Sequence, residues 1–77
     1  MTQIIIINEN DLTPVISTCI LAIGRKNGRL LVEFANAEIY VYGYGSANLF
    51  DQLLAAPSKG RFINCVLKPA YDGILIR

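Results

Sequence analysis

The sequence predicts an α+β domain: a small, mostly antiparallel sheet of three to five strands with two short helices packed on it. Three observations carry this prediction. The first half of the chain holds β-branched runs and two-residue apolar alternation, the second half apolar residues at helical spacing. Turn-forming residues at 24–28, 35–37 and 43–45 cut the first half into strand-length pieces. The length, 77 residues, limits the chain to one domain, taken here as residues 1–77 with an added N-terminal strand at 3–8.

The elements follow in order. Gln3 to Asn8 holds four consecutive Ile, and β-branched residues favour a strand. Both faces of that strand are apolar, so Ile4, Ile5, Ile6 and Ile7 read as a surface for self-pairing or for a partner's sheet edge. Residues 8–11 read as a polar loop closed by Pro14. Val15 to Gly24 reads as a strand, and Gly24 to Gly28 as a turn with Asn27-Gly28 suited to positive φ. Arg29 to Phe34 is the next strand, with Leu30, Val32 and Phe34 on one face and Leu31 and Glu33 on the other. Glu38 to Tyr44 follows, with Ile39 and Val41 opposing Tyr40, Tyr42 and Tyr44. Ser46 is placed as the N-cap of a helix carrying Leu49, Phe50, Leu53 and Leu54, which Pro57 stops. Ser58 caps a second helix carrying Phe62, Ile63, Val66 and Leu67. A short strand within 70–76 closes the chain.

Composition excludes several classes. There is no His, so His-based zinc sites, a His general base and a Ser-His-Asp triad are absent. Cys19 and Cys65 cannot form a thiolate metal site alone and show no CxxC spacing. Cys19 alternates with apolar residues and Cys65 sits in an apolar helix, so each reads as a small core residue. We therefore expect no enzyme, no metal and no cofactor. A formal net charge of +1 excludes a strongly basic nucleic-acid binder. No apolar run reaches membrane-spanning length and no secretory leader is visible, so the expectation is a cytoplasmic protein without membrane contact. A core this small is marginal, and self-association is a common remedy, so a homo-oligomer is expected.

Tyr40-Val41-Tyr42 and the run Ala56-Pro57-Ser58-Lys59-Gly60-Arg61-Phe62 carry a resemblance. With the apolar helix Leu49 to Leu54 between them and Asn64 after them, they resemble the KTSC domain, named for the C-terminus of some lysyl-tRNA synthetases. Ser17-Thr18, Gly24 and Leu31-Val32-Glu33-Phe34 also look like family positions, and the resemblance covers residues 14 to 71. Gly45-Ser46 departs from the family's usual Val-Pro, and Asn64 to Pro69 is more apolar than the family pattern. The resemblance implies a small free-standing bacterial or phage protein. Its synthetase context implies RNA binding.

Candidate ligand-binding residues follow from charge and aromatic placement. Residues 1–57 hold three Lys and Arg against five acids, whereas residues 58–77 hold four against one. Ser58, Lys59, Gly60 and Arg61 stand at a helix start, where free N–H groups and two cations suit a phosphate; the alternatives are an ordinary cap with solvated charges or a protein contact. Tyr40, Tyr42 and Tyr44 could stack nucleobases, or could cover the sheet against the helices, with Tyr44 the most exposed. Asn64, three residues after Arg61, could read a base edge or serve helix packing. Asp51, Asp72, Glu33 and Glu38 read as surface carboxylates. The function expected is a non-catalytic binding module for a phosphate-bearing ligand, either a small nucleotide or a short nucleic acid. One form is a phage anti-defence sponge that sequesters a nucleotide immune signal. The alternatives are a small interaction or inhibitor protein acting through Ile4 to Ile7, and an RNA-binding module.

Overall fold

The computed structural model describes residues 7–77. Five strands follow one another as an antiparallel meander: β1 (Leu12–Pro14), β2 (Ile20–Lys26), β3 (Arg29–Phe34), β4 (Ile39–Tyr42) and β5 (Gly73–Leu75). Their order in the sheet is β1-β2-β3-β4-β5. Between β4 and β5 the chain makes two helical segments. A 3-10 turn (Ser46–Leu49) leads into α1 (Phe50–Ala55). After Pro57, α2 (Lys59–Phe62) runs unbroken through a π turn (Ile63–Leu67) into α3 (Lys68–Ala70). This is the α+β architecture expected, with five strands.

The β2–β3 hairpin turns on Asn27 and Gly28 alone, at φ 54 and 77. A two-residue turn with both φ positive matches the strands' twist. Gly24 therefore lies inside β2 rather than opening the turn. It must be glycine because a Cβ there would strike the carbonyl oxygen of Asp11. The strand expected from Val15 begins only at Ile20, and residues 12–14, expected as loop, pair with β2 instead. Between Ile20 and Ala22 the register shifts. The bulge leaves Leu21 exposed and lets Ile20 and Ile23, three residues apart, face the same core.

That core lies between the sheet and the helices. Ile20, Ile23, Leu30, Val32 and Tyr42 meet Leu53, Ile63 and Leu67. The opposite sheet face is buried as well: Ala22, Leu31, Ile39 and Val41 are all at 5% exposure or less. Both apolar faces of β4 are thus used. Of the expected N-terminal strand, Ile4, Ile5 and Ile6 lie outside the described residues. Ile7 and Asn8 are in no strand, and line a groove of about 300 Å³ with Leu12, Pro14, Ala22, Glu33 and Arg77.

Ser46 does not cap its helix. Gly45, at φ 97, is the N-cap residue, and the buried Ser46 Oγ accepts the Leu30 amide at 2.8 Å. Ser58 is an N-cap as expected: its Oγ accepts the Arg61 amide at 3.4 Å. Cys19 and Cys65, expected in the core, are both exposed. Cys19 falls in the loop before β2, and Cys65 in the π turn, whose inward positions go to Ile63 and Leu67.

Candidate functional site

Alternation along β4 puts Tyr40 and Tyr42 on the helix-facing side of the sheet. Tyr42 is buried at 2% exposure, and burial pushes its phenol above the usual range, with Tyr40 adding to the shift. Tyr40 is only half-buried. The Phe34 ring meets it edge-on at 5.5 Å and 88°, and the Tyr42 ring stacks beside it at 6.4 Å and 29°. Two neighbours therefore fix the Tyr40 ring while part of it stays open.

The open part faces a groove of about 460 Å³. Tyr40, Tyr42 and Phe34 line it with Cys19, Glu38 and Lys68. Lys68 comes from the far end of the second helical segment, whose Ile63 and Leu67 share the core with Tyr42. A smaller hollow, about 210 Å³, opens on the other side of the tyrosine pair and shares Tyr40, Tyr42 and Lys68 with the first. Lys68 thus sits beside both rings. Its ammonium makes no hydrogen bond or ion pair among the described residues.

Ser58, Lys59 and Gly60 line a separate groove of about 450 Å³ with residues 16–19. Cys19 is a wall of both grooves. Gly60 has a packing reason here: a Cβ would lie 3.3 Å from Cys19 Sγ. The Lys59 ammonium is held by donating to the Ala56 carbonyl at 3.1 Å. Arg61 and Asn64 are exposed and line neither groove. Tyr44 is 78% exposed and lies at the other end of the sheet, over the turn at Gly28.

Of the residues the sequence singles out, the fold brings Tyr40 and Tyr42 together, and places Ser58, Lys59 and Gly60 in a second groove that shares only Cys19 with the first. It did not find Lys68, Glu38 or Cys19. Glu38 carried a signal, since it precedes Tyr40 by two residues and shares its face. Lys68 carried none, because a helix crossing a sheet is tertiary information. Glu33, by contrast, faces away and reaches Arg77 at 3.9 Å. Asp51 and Asp72 are exposed. Among the described residues no three acidic, Cys or His side chains cluster to hold a metal ion, and no helix is long and apolar enough to cross a membrane.

Comparison with known proteins places this geometry. The sequence model of the KTSC domain matches residues 17–71. A protein of Tsukamurella paurometabola is 35% identical over 65 residues, covering 82% of this chain and 97% of the relative. The crystal structure of a KTSC domain protein from Yersinia pestis superposes with a TM-score of 0.77 at 31% identity, covering 86% of this chain and 96% of that one. Every side chain named in the tyrosine groove falls inside the matched segment.

Proposed function

The chain belongs to the KTSC domain family, and from that premise we propose that it is a non-catalytic module binding a small phosphate-bearing ligand with a planar ring, a nucleotide or a short nucleic acid. One observation carries the reading: the half-open Tyr40 ring, flanked by Phe34 and Tyr42, forms the wall of a groove that Lys68 also lines. A ring already fixed loses little freedom when a base stacks on it. Stacking of this kind is worth about 1–3 kcal/mol per base. Lys68 supplies the charge for a phosphate, and the groove at Ser58 to Gly60 offers room for a further one. A net charge of +1 favours a compact ligand over a long polyanion. Sequestering a nucleotide signal, as an anti-defence sponge does, would require nothing beyond such a groove.

The chain has no Trp, and two of its four Tyr line this groove, so tyrosine emission responds to its occupancy. Titration with mononucleotides is expected to quench it. Tyr40→Ala is expected to weaken binding about 10- to 100-fold, the stacking energy converted to affinity. Lys68→Ala is expected to weaken it about tenfold and to flatten its salt dependence. Unaltered affinity in both variants would remove the proposal.

A second reading, a homo-oligomer or protein contact, is favoured by the β5 edge. Ile74, Leu75 and Ile76 are 58%, 49% and 37% exposed there. The opposite edge, β1, ends in Pro14, which has no N–H to offer a new strand. An exposed apolar edge is a template for strand addition. Native mass spectrometry of the wild type and of Leu75→Lys checks it. The expected result is an oligomer that dissociates in the variant while groove binding persists; a monomeric wild type contradicts self-pairing.

A further inference from the structure

One face of β4 and the residue before it carries a carboxylate in line with the two rings. Glu38, Tyr40 and Tyr42 occupy alternate positions, and all three line the same groove. The Glu38 carboxylate is not a free surface charge. Its Oε1 accepts from Asn36 Nδ2 at 2.7 Å, while the Glu38 amide donates to Asn36 Oδ1 at 3.1 Å. Asn36 lines the groove too. This reciprocal pair holds the carboxylate at the rim and leaves Oε2 and the second lone pair of Oε1 to accept from a ligand. The second hydrogen on Asn36 Nδ2 is left to donate.

Resting on the proposed nucleotide reading, we infer that this rim selects guanine among the bases. The spacing fits. Glu38 stands two residues, ~7 Å, along the strand from Tyr40. That is about half a purine's width plus one hydrogen bond, so a base stacked on Tyr40 brings its edge to the carboxylate. The donor pattern then decides which base. A carboxylate only accepts hydrogen bonds. Guanine presents N1–H and the N2 amine side by side, with the O6 acceptor next to them, facing the Asn36 amide. Adenine and cytosine present one amine beside a bare ring nitrogen, whose lone pair would face the carboxylate. Uracil presents one N–H between two carbonyls. Lys68, beside Tyr42 in the same groove, is left for the phosphate.

The test uses GMP, IMP and AMP titrated onto the full chain and onto Glu38→Gln. GMP is expected to bind about 10- to 100-fold tighter than AMP, the discrimination of one good bidentate contact. IMP, which keeps N1–H and O6 and lacks the amine, is expected between them. Glu38→Gln is expected to bring GMP down toward AMP and to tighten AMP, because the amide can donate to the ring nitrogen that the carboxylate opposes. GMP and AMP binding equally would overturn the inference and leave the binding proposal standing. No binding of any of the three would overturn both. A GMP preference that survives in a folded Glu38→Gln would remove Glu38 as its source; should that variant not fold, the wild-type ranking alone decides.

Discussion

Gly24→Ala is expected to destabilise the protein by about 3 kcal/mol, a large share of the stability a small domain commands. The cause is local and geometric. A Cβ at residue 24 would occupy the space of the Asp11 carbonyl oxygen and crowd its carbon at 2.9 Å. Both obstacles are backbone, so no rotamer change relieves them. The segment before β1 must move away, and three contacts go with it. Leu12 pairs with Gly24 itself. Asp11 accepts the Asn8 amide at 2.9 Å, and its Oδ2 lies 2.9 Å from the Lys26 ammonium. Those partners, the Asn8 amide first, hold the Asp11 carboxyl below the usual carboxylate range. The variant should melt about 10–20 °C lower. Gly43→Ala is the matched control. Its Cβ would meet only the Tyr71 ring, at 3.7 Å, an ordinary contact, so its melting temperature should move little. Equal melting temperatures for wild type and Gly24→Ala would contradict the packing described.

Particular residues show where a sequence informs and where it stops. Asn27-Gly28 announced the hairpin because only a turn with positive φ suits that pair. Ser58 announced a helix start, and its hydroxyl does accept the Arg61 amide. Tyr40 and Tyr42 announced an aromatic face through two-residue alternation. The misses share one origin, contacts made by residues far apart in the chain. β1 is three residues ending in Pro14, and no local pattern separates it from a loop; it exists because β2 offers an edge. The bulge at Leu21 breaks alternation and β2 starts only at Ile20, so Cys19, expected in the core, stands exposed in the loop before it. α-Helical spacing groups Arg61 with Asn64. The π turn after Phe62 widens the repeat, and neither residue reaches the groove, whereas Lys68 does. Half of the candidate site was thus readable as a strand pattern. The other half appears only when Ile63 and Leu67 pack against the sheet and bring Lys68 to the groove.

Ser46→Ala is expected to cost about 1–3 kcal/mol, more than a lost helix cap would explain. As a cap, Ser46 would satisfy an amide of its own helix, and water could replace it at an exposed terminus. Its hydroxyl instead reaches across the chain to the Leu30 amide at 2.8 Å, and both residues are fully buried. Leu30 is the second residue of β3, opposite Arg25 in β2, and Ser46 takes the place that a strand partner would take for its amide. Removing the oxygen strands a buried donor where water cannot follow, and the full desolvation cost appears. The Gly45 and Ala47 amides donate to the Gly28 carbonyl at 2.8 and 3.3 Å, so the same few residues tie the hairpin to the helix start. Ser46→Ala should therefore lower the melting temperature by about 10 °C and speed hydrogen exchange at Leu30. Ser46→Thr keeps the oxygen but adds a methyl group at a fully buried position, so it should recover the exchange protection only in part. A change in helix content with Leu30 still protected would show that Ser46 acts as a cap after all.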